Sequence, residues 1–377
     1  MNPNNIKIGI LGGGQLGRMI IQETINYDLS IDVLDPNSEC SSAKICNNFT
    51  KGDFNKYEDV LSFGKDLDIV TIEIEHVNTE ALYELQRRGV KVYPQPNVIE
   101  LIKDKGTQKE FYQKNNIPTA PFEFIDKDKL EHKSFPVVAK TRKGGYDGKG
   151  VKIINDLKDL KSDFFKNDFF IEEQIDFVKE LSVIVARNES GEVKTYDTVE
   201  QEFNHEANLV EFLFSPANIS ESVNEKCQEI AKKIITSLEM VGLLAVELFL
   251  TKEGDVLVNE VAPRPHNSGH HTIEVCETSQ FEQHMRSILN WPLGNTNQSS
   301  VGLMVNLLGE KNNKGPVSYQ GLEQLIKKKN IFVHLYGKKE TKPFRKMGHA
   351  TIISKDLNTA REKANWVKET LKVVSNG

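Results

Sequence analysis

The chain has 377 residues, 27% of them charged and 38% hydrophobic, with 48 Lys plus Arg against 54 Asp plus Glu and a formal net charge of −6. Such a globular composition excludes wholesale disorder, and a mildly acidic chain does not fit a nucleic-acid coat, which needs a basic surface. No run approaches the roughly 18 apolar residues of a membrane span, the first residues lack a signal peptide's basic and apolar regions, and Cys40, Cys46, Cys227 and Cys276 have no framework spacing. A cytoplasmic protein with no membrane and no nucleic-acid partner is expected.

In chain order, residues 6–11 read as a buried strand, residues 15–27 as a helix with apolar spacing at Leu16, Met19 and Ile20, and residues 31–34, 68–72 and 90–93 as further strands. Strands alternating with helical patterns predict a parallel sheet built from βαβ units. Between the first strand and helix, Gly12, Gly14 and Gly17 satisfy GxGxxG, and Asp35 closes the next strand. That is the spacing of a dinucleotide fingerprint, with the acid on a ribose hydroxyl. The physical content is narrower: glycines let an anion approach backbone N–H groups at a helix N-terminus. An NAD site, another phosphate ligand and a merely tight turn all remain open on this motif.

The middle of the chain changes character. Strands are predicted at residues 135–140, 151–154, 169–172, 181–186 and 193–198, a helix at residues 222–240, and a hairpin from residues 243–250 and 256–261. Closely spaced strands with short turns predict an antiparallel sheet. Lys140 ends one strand, and Gly144, Gly145, Gly148 and Gly150 follow with Lys149 among them. Such a loop can fold backbone donors over a polyphosphate while its lysines neutralise charge, or it can be a solvated hairpin. Glu172, Glu173, Gln174 and Ile175, then Glu180, can offer an adenine edge and ribose hydroxyls their partners, or form a solvated acidic segment.

The hairpin carries more information. Glu247 and Glu260 each interrupt an apolar run, and if Thr251 pairs Val256 a uniform register sets the two glutamates opposite each other. Directly opposed Cβ atoms lie about 4.5–5.5 Å apart, so two carboxylates there repel unless a cation intervenes. Mg²⁺ bridging nucleotide phosphates suits this arrangement, with Asn259 a further oxygen ligand if the strand is irregular. A raised pKa or an arginine partner is the alternative. The following loop holds Arg264, His266, Asn267 and Ser268, all anion-binding side chains, and His266-x-x-x-His270 lacks the helix and glutamate of a zinc motif. Residues 294–300 read as a linker. Strands at residues 302–307, 331–336 and 349–353, then a helix from Leu357, close the chain.

Taken together, Gly12-Gly13-Gly14-Gln15-Leu16-Gly17-Arg18-Met19, Asp104-Lys105, Lys140-Thr141-Arg142, Gly145-Tyr146-Asp147-Gly148-Lys149-Gly150, Asn259 to His270 and Arg345-Lys346-Met347-Gly348-His349 make the chain resemble the ATP-grasp ligases, specifically the 5-(carboxyamino)imidazole ribonucleotide synthetase family, nearly end to end. The resemblance implies an N-terminal Rossmann-like parallel-sheet domain (residues 1–100), a central ATP-grasp domain (101–295, with a lid subdomain around 115–185) and a small C-terminal β-rich domain (296–377). It implies ATP-dependent carboxylation of 5-aminoimidazole ribonucleotide with bicarbonate through carboxyphosphate, with ATP and Mg²⁺ but no biotin, and a homodimer.

Residue by residue, the resemblance implies an ATP site at Lys105, Lys140, Gly145, Tyr146, Asp147, Gly148, Lys149, Gly150, Val151, Glu172, Glu173, Gln174, Ile175, Glu180, His205, Asn259 and Glu260. It implies Mg²⁺ on Glu247 and Glu260, catalysis by Arg264, His266, Asn267, Arg345 and Lys346, and substrate contacts from Gln15, Leu16, Glu75, Tyr146, Ser268 and Lys338 beside those five. Lys140, Arg142, Lys149, Arg264, Arg345 and Lys346 are expected to make a locally cationic cleft. Another ATP-grasp ligase, related to the formate-dependent transformylases or the carboxylases, and more distantly an NAD-dependent oxidoreductase, are the alternatives.

Overall fold

The computed structural model describes residues 5–144, 150–161, 163–204 and 209–376. At the N-terminus the apolar strand Lys7–Leu11 lies between Ser30–Asp35 and Ile69–Ile72, with Asn48–Lys51 and Lys91–Val92 at the edges, all parallel. Helices bury the central strands on both faces, which is why they read as continuous apolar runs. The edge strand Asn48–Lys51 is largely exposed and carries no such run, so the sequence pattern passes over it. Gly12, Asp35 and Glu73 gather at the C-terminal ends of the strands, where open α/β sheets bind ligands.

A four-stranded antiparallel sheet follows, in the order Phe122–Glu123, Phe169–Glu173, Val137–Thr141, Val151–Ile154. Its own small core contains Leu130, Ala139, Ile154, Leu160 and Ile171. Register places Lys140 beside Val151 and Phe170, and Val138 beside Ile153 and Glu172, so one face presents both the cationic and the apolar members of this set.

The largest sheet has nine strands and runs antiparallel from Val256–Ala262 through Gly242–Thr251 and Phe177–Arg187 to the C-terminal strands Val301–Leu308, Lys346–Ser354 and Ile331–Leu335. Where the pattern predicts one strand to residue 198, the chain ends its strand at Thr195 and forms two more, Val199–Asn204 and Leu209–Ser215. The second of these pairs with Val301–Leu308, making the sheet continuous from the hairpin to the C-terminal region. Two further strands that the pattern misses, Gly315–Gln320 and Lys372–Ser375, form a small separate sheet with Glu340–Thr341.

Helices join the layers. Glu221–Ser237, capped by the Ser220 hydroxyl on Val223 N–H, buries Cys227, Ile230, Ala231 and Ile234 against the hairpin strands. Gln280–Ile288 packs Phe281, Met285 and Ile288 onto Met19 and Ile20 of the helix Gln15–Thr24, tying the N-terminal sheet to the central one. The closing helix Leu357–Thr370 covers the C-terminal strands through Ala360, Ala364 and Val367. Among the described residues no helix is long and apolar enough to cross a membrane, and all four cysteines are free.

Candidate active site

The hairpin does bring Glu247 opposite Glu260, by a different route from the uniform register. The turn is one residue longer, with Leu250 rather than Thr251 opposite Val256. An irregularity between Leu248↔Val258 and Glu247↔Glu260 inserts Asn259 and restores the pairing. Such a bulge re-aims side chains locally. Asn259 and Glu260 accordingly line the same cleft, with Lys105, Lys109, Lys140, Phe170 and Glu172.

Glu247, Glu180 and Glu260 differ in their electrostatics. Burial, then repulsion from Glu260 and Glu180, pushes Glu247 up to about 8. Burial lifts Glu180 to about 7 against the pull of Lys140. Glu260 is partly exposed, and Lys105 outweighs its desolvation and holds its carboxyl below the usual range. The opposed pair Glu247 and Glu260, partly buried and only partly balanced by lysine, suits a divalent cation with oxygen preference.

The cations come from two directions. Asp104 caps the helix Lys105–Lys114, accepting from Gly106 and Thr107 N–H at 2.8 and 3.2 Å. Lys105 and Lys109, one turn apart on that helix, then share a face. Lys109 is 2% exposed and sits 2.5 Å from Glu172, whose other oxygen meets Lys140 at 2.8 Å. Lys140 also donates to Asn259 at 2.8 Å. Burial drags the Lys109 ammonium down to about 8 despite Glu172. Lys109 was absent from the expected site; its signal was the i, i+4 spacing from Lys105. Partly buried Phe249 and Leu257 pair across the hairpin, and Phe249 stacks on Phe177 with centroids 4.6 Å apart.

Beyond Glu260, Arg264 grips Glu75 with two hydrogen bonds, Nε to Oε2 at 2.6 Å and Nη2 to Oε1 at 3.2 Å. Burial alone would raise Glu75; the guanidinium holds it at about 2. Gln280, fully buried, pins the loop by accepting from His266 N–H at 2.9 Å and donating to its carbonyl at 2.7 Å. Asn267 and Asn306 exchange two amide hydrogen bonds, both 2.9 Å. The His266 ring lies 3.8 Å from Glu247 Oε1, and burial, then Arg264 and Lys346, depresses it to about 3. Lys346 is therefore close enough for both Glu247 and His266 to feel its charge. Lys338 donates to the Lys346 carbonyl at 2.7 Å.

Several expectations change. Ser268 is fully buried and its hydroxyl is engaged with His266 and Ser182, so it reaches the cleft only through the imidazole. Leu16 packs its side chain in the core, and its N–H donates to Glu73 Oε2 at 3.2 Å. Arg142 is held by Asp104 and lies over Phe124, and its carbonyl accepts from Lys105 N–H at 2.8 Å. Arg345 donates to the Glu340 carbonyl. Glu173 ends the strand Phe169–Glu173 and Gln174 follows it, both exposed, with Ile175 partly buried. Gly150 adopts φ +90° where the lid chain turns back to Thr141. Gly145, Tyr146, Asp147, Gly148, Lys149 and His205 lie outside the described residues.

The first glycine-rich loop does not present an NAD site. Glu73 takes the N–H groups of Gly14, Leu16 and Gly17 at 2.8–3.2 Å, the donors a pyrophosphate would need. Asp35 accepts from Gly13 and Asn37 N–H, both at 2.8 Å, and so caps its own loop.

Family models match along the chain: a ribonucleotide synthetase preATP-grasp domain at residues 5–103, an ATP-grasp domain at 110–281 and a phosphoribosylaminoimidazole carboxylase C-terminal domain at 302–363. The chain is 34% identical over 371 residues to the N5-carboxyaminoimidazole ribonucleotide synthase of Bacillus subtilis, covering 96% of this chain and 93% of that protein. It is 38% identical over 367 residues to the chloroplastic phosphoribosylaminoimidazole carboxylase of Vigna aconitifolia, covering 94% of this chain but spanning only 65% of that longer protein. The crystal structure of N5-carboxyaminoimidazole ribonucleotide synthetase from Thermotoga maritima superposes with a TM-score of 0.91 at 42% identity, covering 98% of this chain and all of that one. The Aspergillus clavatus synthase in complex with ADP and 5-aminoimidazole ribonucleotide gives a TM-score of 0.88 at 31% identity, covering 97% and 98% of the two chains.

Proposed function

The chain belongs to the N5-carboxyaminoimidazole ribonucleotide synthase family of ATP-grasp proteins, and from that premise we infer that it carboxylates 5-aminoimidazole ribonucleotide with bicarbonate at the expense of ATP. The observation that carries this reading is the Glu247/Glu260 pair facing a lysine-rich cleft on one side and the Arg264–Asn267 loop on the other. Phosphoryl transfer needs positioning and charge neutralisation more than a side-chain nucleophile, and this cleft is built of those two things.

Lys105, Lys109 and Lys140 supply positive charge beside Glu172 and Glu260, where the phosphates of a nucleotide would exchange with the carboxylates as lysine partners. The apolar faces around Val151, Ile153, Phe249 and Leu257 suit an adenine ring. Glu247 and Glu260 would hold Mg²⁺, with Asn259 adjacent, and the ion when bound neutralises the transferring phosphate. Bicarbonate oxygen attacks the γ-phosphorus of ATP, giving carboxyphosphate and ADP. Arg264, His266 and Asn267 are fixed by Glu75, Gln280 and Asn306, so they can orient this anion without reorganising. The substrate amine then attacks the carboxyl carbon and phosphate departs. Lys338, Arg345 and Lys346 lie on the C-terminal side, where cations suit a ribonucleotide phosphate. A homodimer and a cytoplasmic location belong to the same reading; sedimentation tests the former.

The deciding experiment measures ADP release with 5-aminoimidazole ribonucleotide, with and without bicarbonate. Stimulation that requires both is expected. No stimulation by the ribonucleotide refutes the assignment.

A further inference from the structure

Two buried serines form a hydrogen-bond chain that ends on His266. Ser182 sits on the strand Phe177–Arg187 directly opposite Glu247, and it and Ser268 are both 0% exposed. Their hydroxyl oxygens are 2.8 Å apart, and Ser268 Oγ lies 3.0 Å from His266 Nδ1. The backbone N–H of Ser268 also points at Nδ1, at 3.4 Å, with His266 capping the short turn Asn267–Gly269.

This last contact gives the direction of the whole chain, but at 3.4 Å it is weak, and the 3.0 Å contact from Ser268 Oγ carries the hold on the ring. A backbone N–H can only donate, so Nδ1 is an acceptor and the ring proton resides on Nε2. The Ser268 hydroxyl must then donate to Nδ1, which leaves its oxygen to accept from Ser182. At the far end, Nε2–H faces the cleft, 3.8 Å from Glu247 Oε1.

We propose that Ser182, acting through Ser268, is a positioning residue that locks His266 in the Nε2–H tautomer, so that the imidazole meets the bicarbonate-derived anion as a hydrogen-bond donor and not as a base. The proposal rests on the reaction inferred above. Every oxygen of bicarbonate or carboxyphosphate that faces this loop is an acceptor. The opposite tautomer would turn a nitrogen lone pair toward it, beside the Arg264 guanidinium and the Asn267 amide. The peptide of His266 is held separately by Gln280, so loss of the serine chain changes the ring's proton and not the loop.

The test combines nitrogen-15 NMR of labelled histidine with steady-state kinetics on the full-length protein. The His266 signals are identified by their disappearance in His266→Asn. Wild type should show Nε2 protonated and Nδ1 bare. Ser182→Ala strips the incoming donor from Ser268, so a population protonated at Nδ1 should appear, and kcat should fall about tenfold to a hundredfold with the KM for ATP little changed, the scale for weakening one oriented donor. Ser182→Thr keeps the hydroxyl and should restore both readouts. Ser268→Ala should reproduce the Ser182→Ala spectrum and serves in its place should that variant not fold. An unchanged tautomer in both alanine variants, or equal kcat losses in Ser182→Ala and Ser182→Thr, overturns the proposal. Since the tautomer is read on the free protein, its result is independent of whether the ribonucleotide stimulates ADP release, the outcome that decides the reaction itself.

Discussion

Glu75→Gln tests how firmly the N-terminal domain is bound to the loop that carries Arg264. The carboxylate accepts two hydrogen bonds from Arg264, and the side chains are 22% and 18% exposed. Its pKa falls from 4.5 to about 2, which linkage converts to about 3 kcal/mol. Breaking a buried pair by removing one partner costs a similar amount, about 3–5 kcal/mol, because the guanidinium is left without its counter-charge. The sign follows from the direction of the shift. A depressed carboxyl stabilises the fold fully above its unfolded value and loses that contribution as pH falls toward 2. Denaturant unfolding of wild type and Glu75→Gln, compared at pH 7 and near pH 3, should therefore show a gap of about 3 kcal/mol that narrows in acid. A double-mutant cycle with Arg264→Met isolates the pair. A gap that is the same at both pH values, or a coupling energy below about 0.5 kcal/mol, would refute the reasoning, since that is within the additivity of independent sites.

Glu260→Gln should abolish ADP formation through loss of the metal while leaving the circular dichroism spectrum intact; full turnover in that variant is incompatible with the assignment. Lys109→Met leaves buried Glu172 with Lys140 as its remaining lysine partner, drawing Lys140 away from phosphate, and should weaken binding of a non-hydrolysable ATP analogue about tenfold by calorimetry, about 1.4 kcal/mol. His284 is fully buried, hydrogen-bonds Thr71 at 2.9 Å and is pushed by burial down to about 4. Because the unfolded chain takes up that proton first, wild-type stability should fall as pH drops from about 6.5 to 4, and a His284→Gln variant should show a shallower fall; parallel curves would contradict it.

How much of this was legible in the sequence depended on the range of the interaction. Apolar runs and GxGxxG located the N-terminal parallel sheet, because burial on both faces leaves a local signature in the strand itself. The carboxylate pair was legible too, although through two offsetting departures from a uniform register: a turn longer by one residue and a bulge at Asn259. Neither is encoded in spacing, since the segment at Pro118 and Thr119 that pairs with Val258 lies more than a hundred residues away. Lys109, Gln280, Asn306 and Ser182 escaped the sequence reading for the same reason. Each is an ordinary residue in an ordinary element until the fold sets it against a distant partner.

By itself, the amino-acid sequence determined most of the elements and the candidate chemistry-bearing residues, because propensity, periodicity and motif spacing are local. Tertiary structure alone decided what each charge is paired with. Glu73 closes the helix N-terminus that resembles a dinucleotide site, Asp104 pairs with Arg142, and a serine chain orients His266. Pairing energies depend on burial and on distances of a few ångströms, and the folded chain is what establishes both.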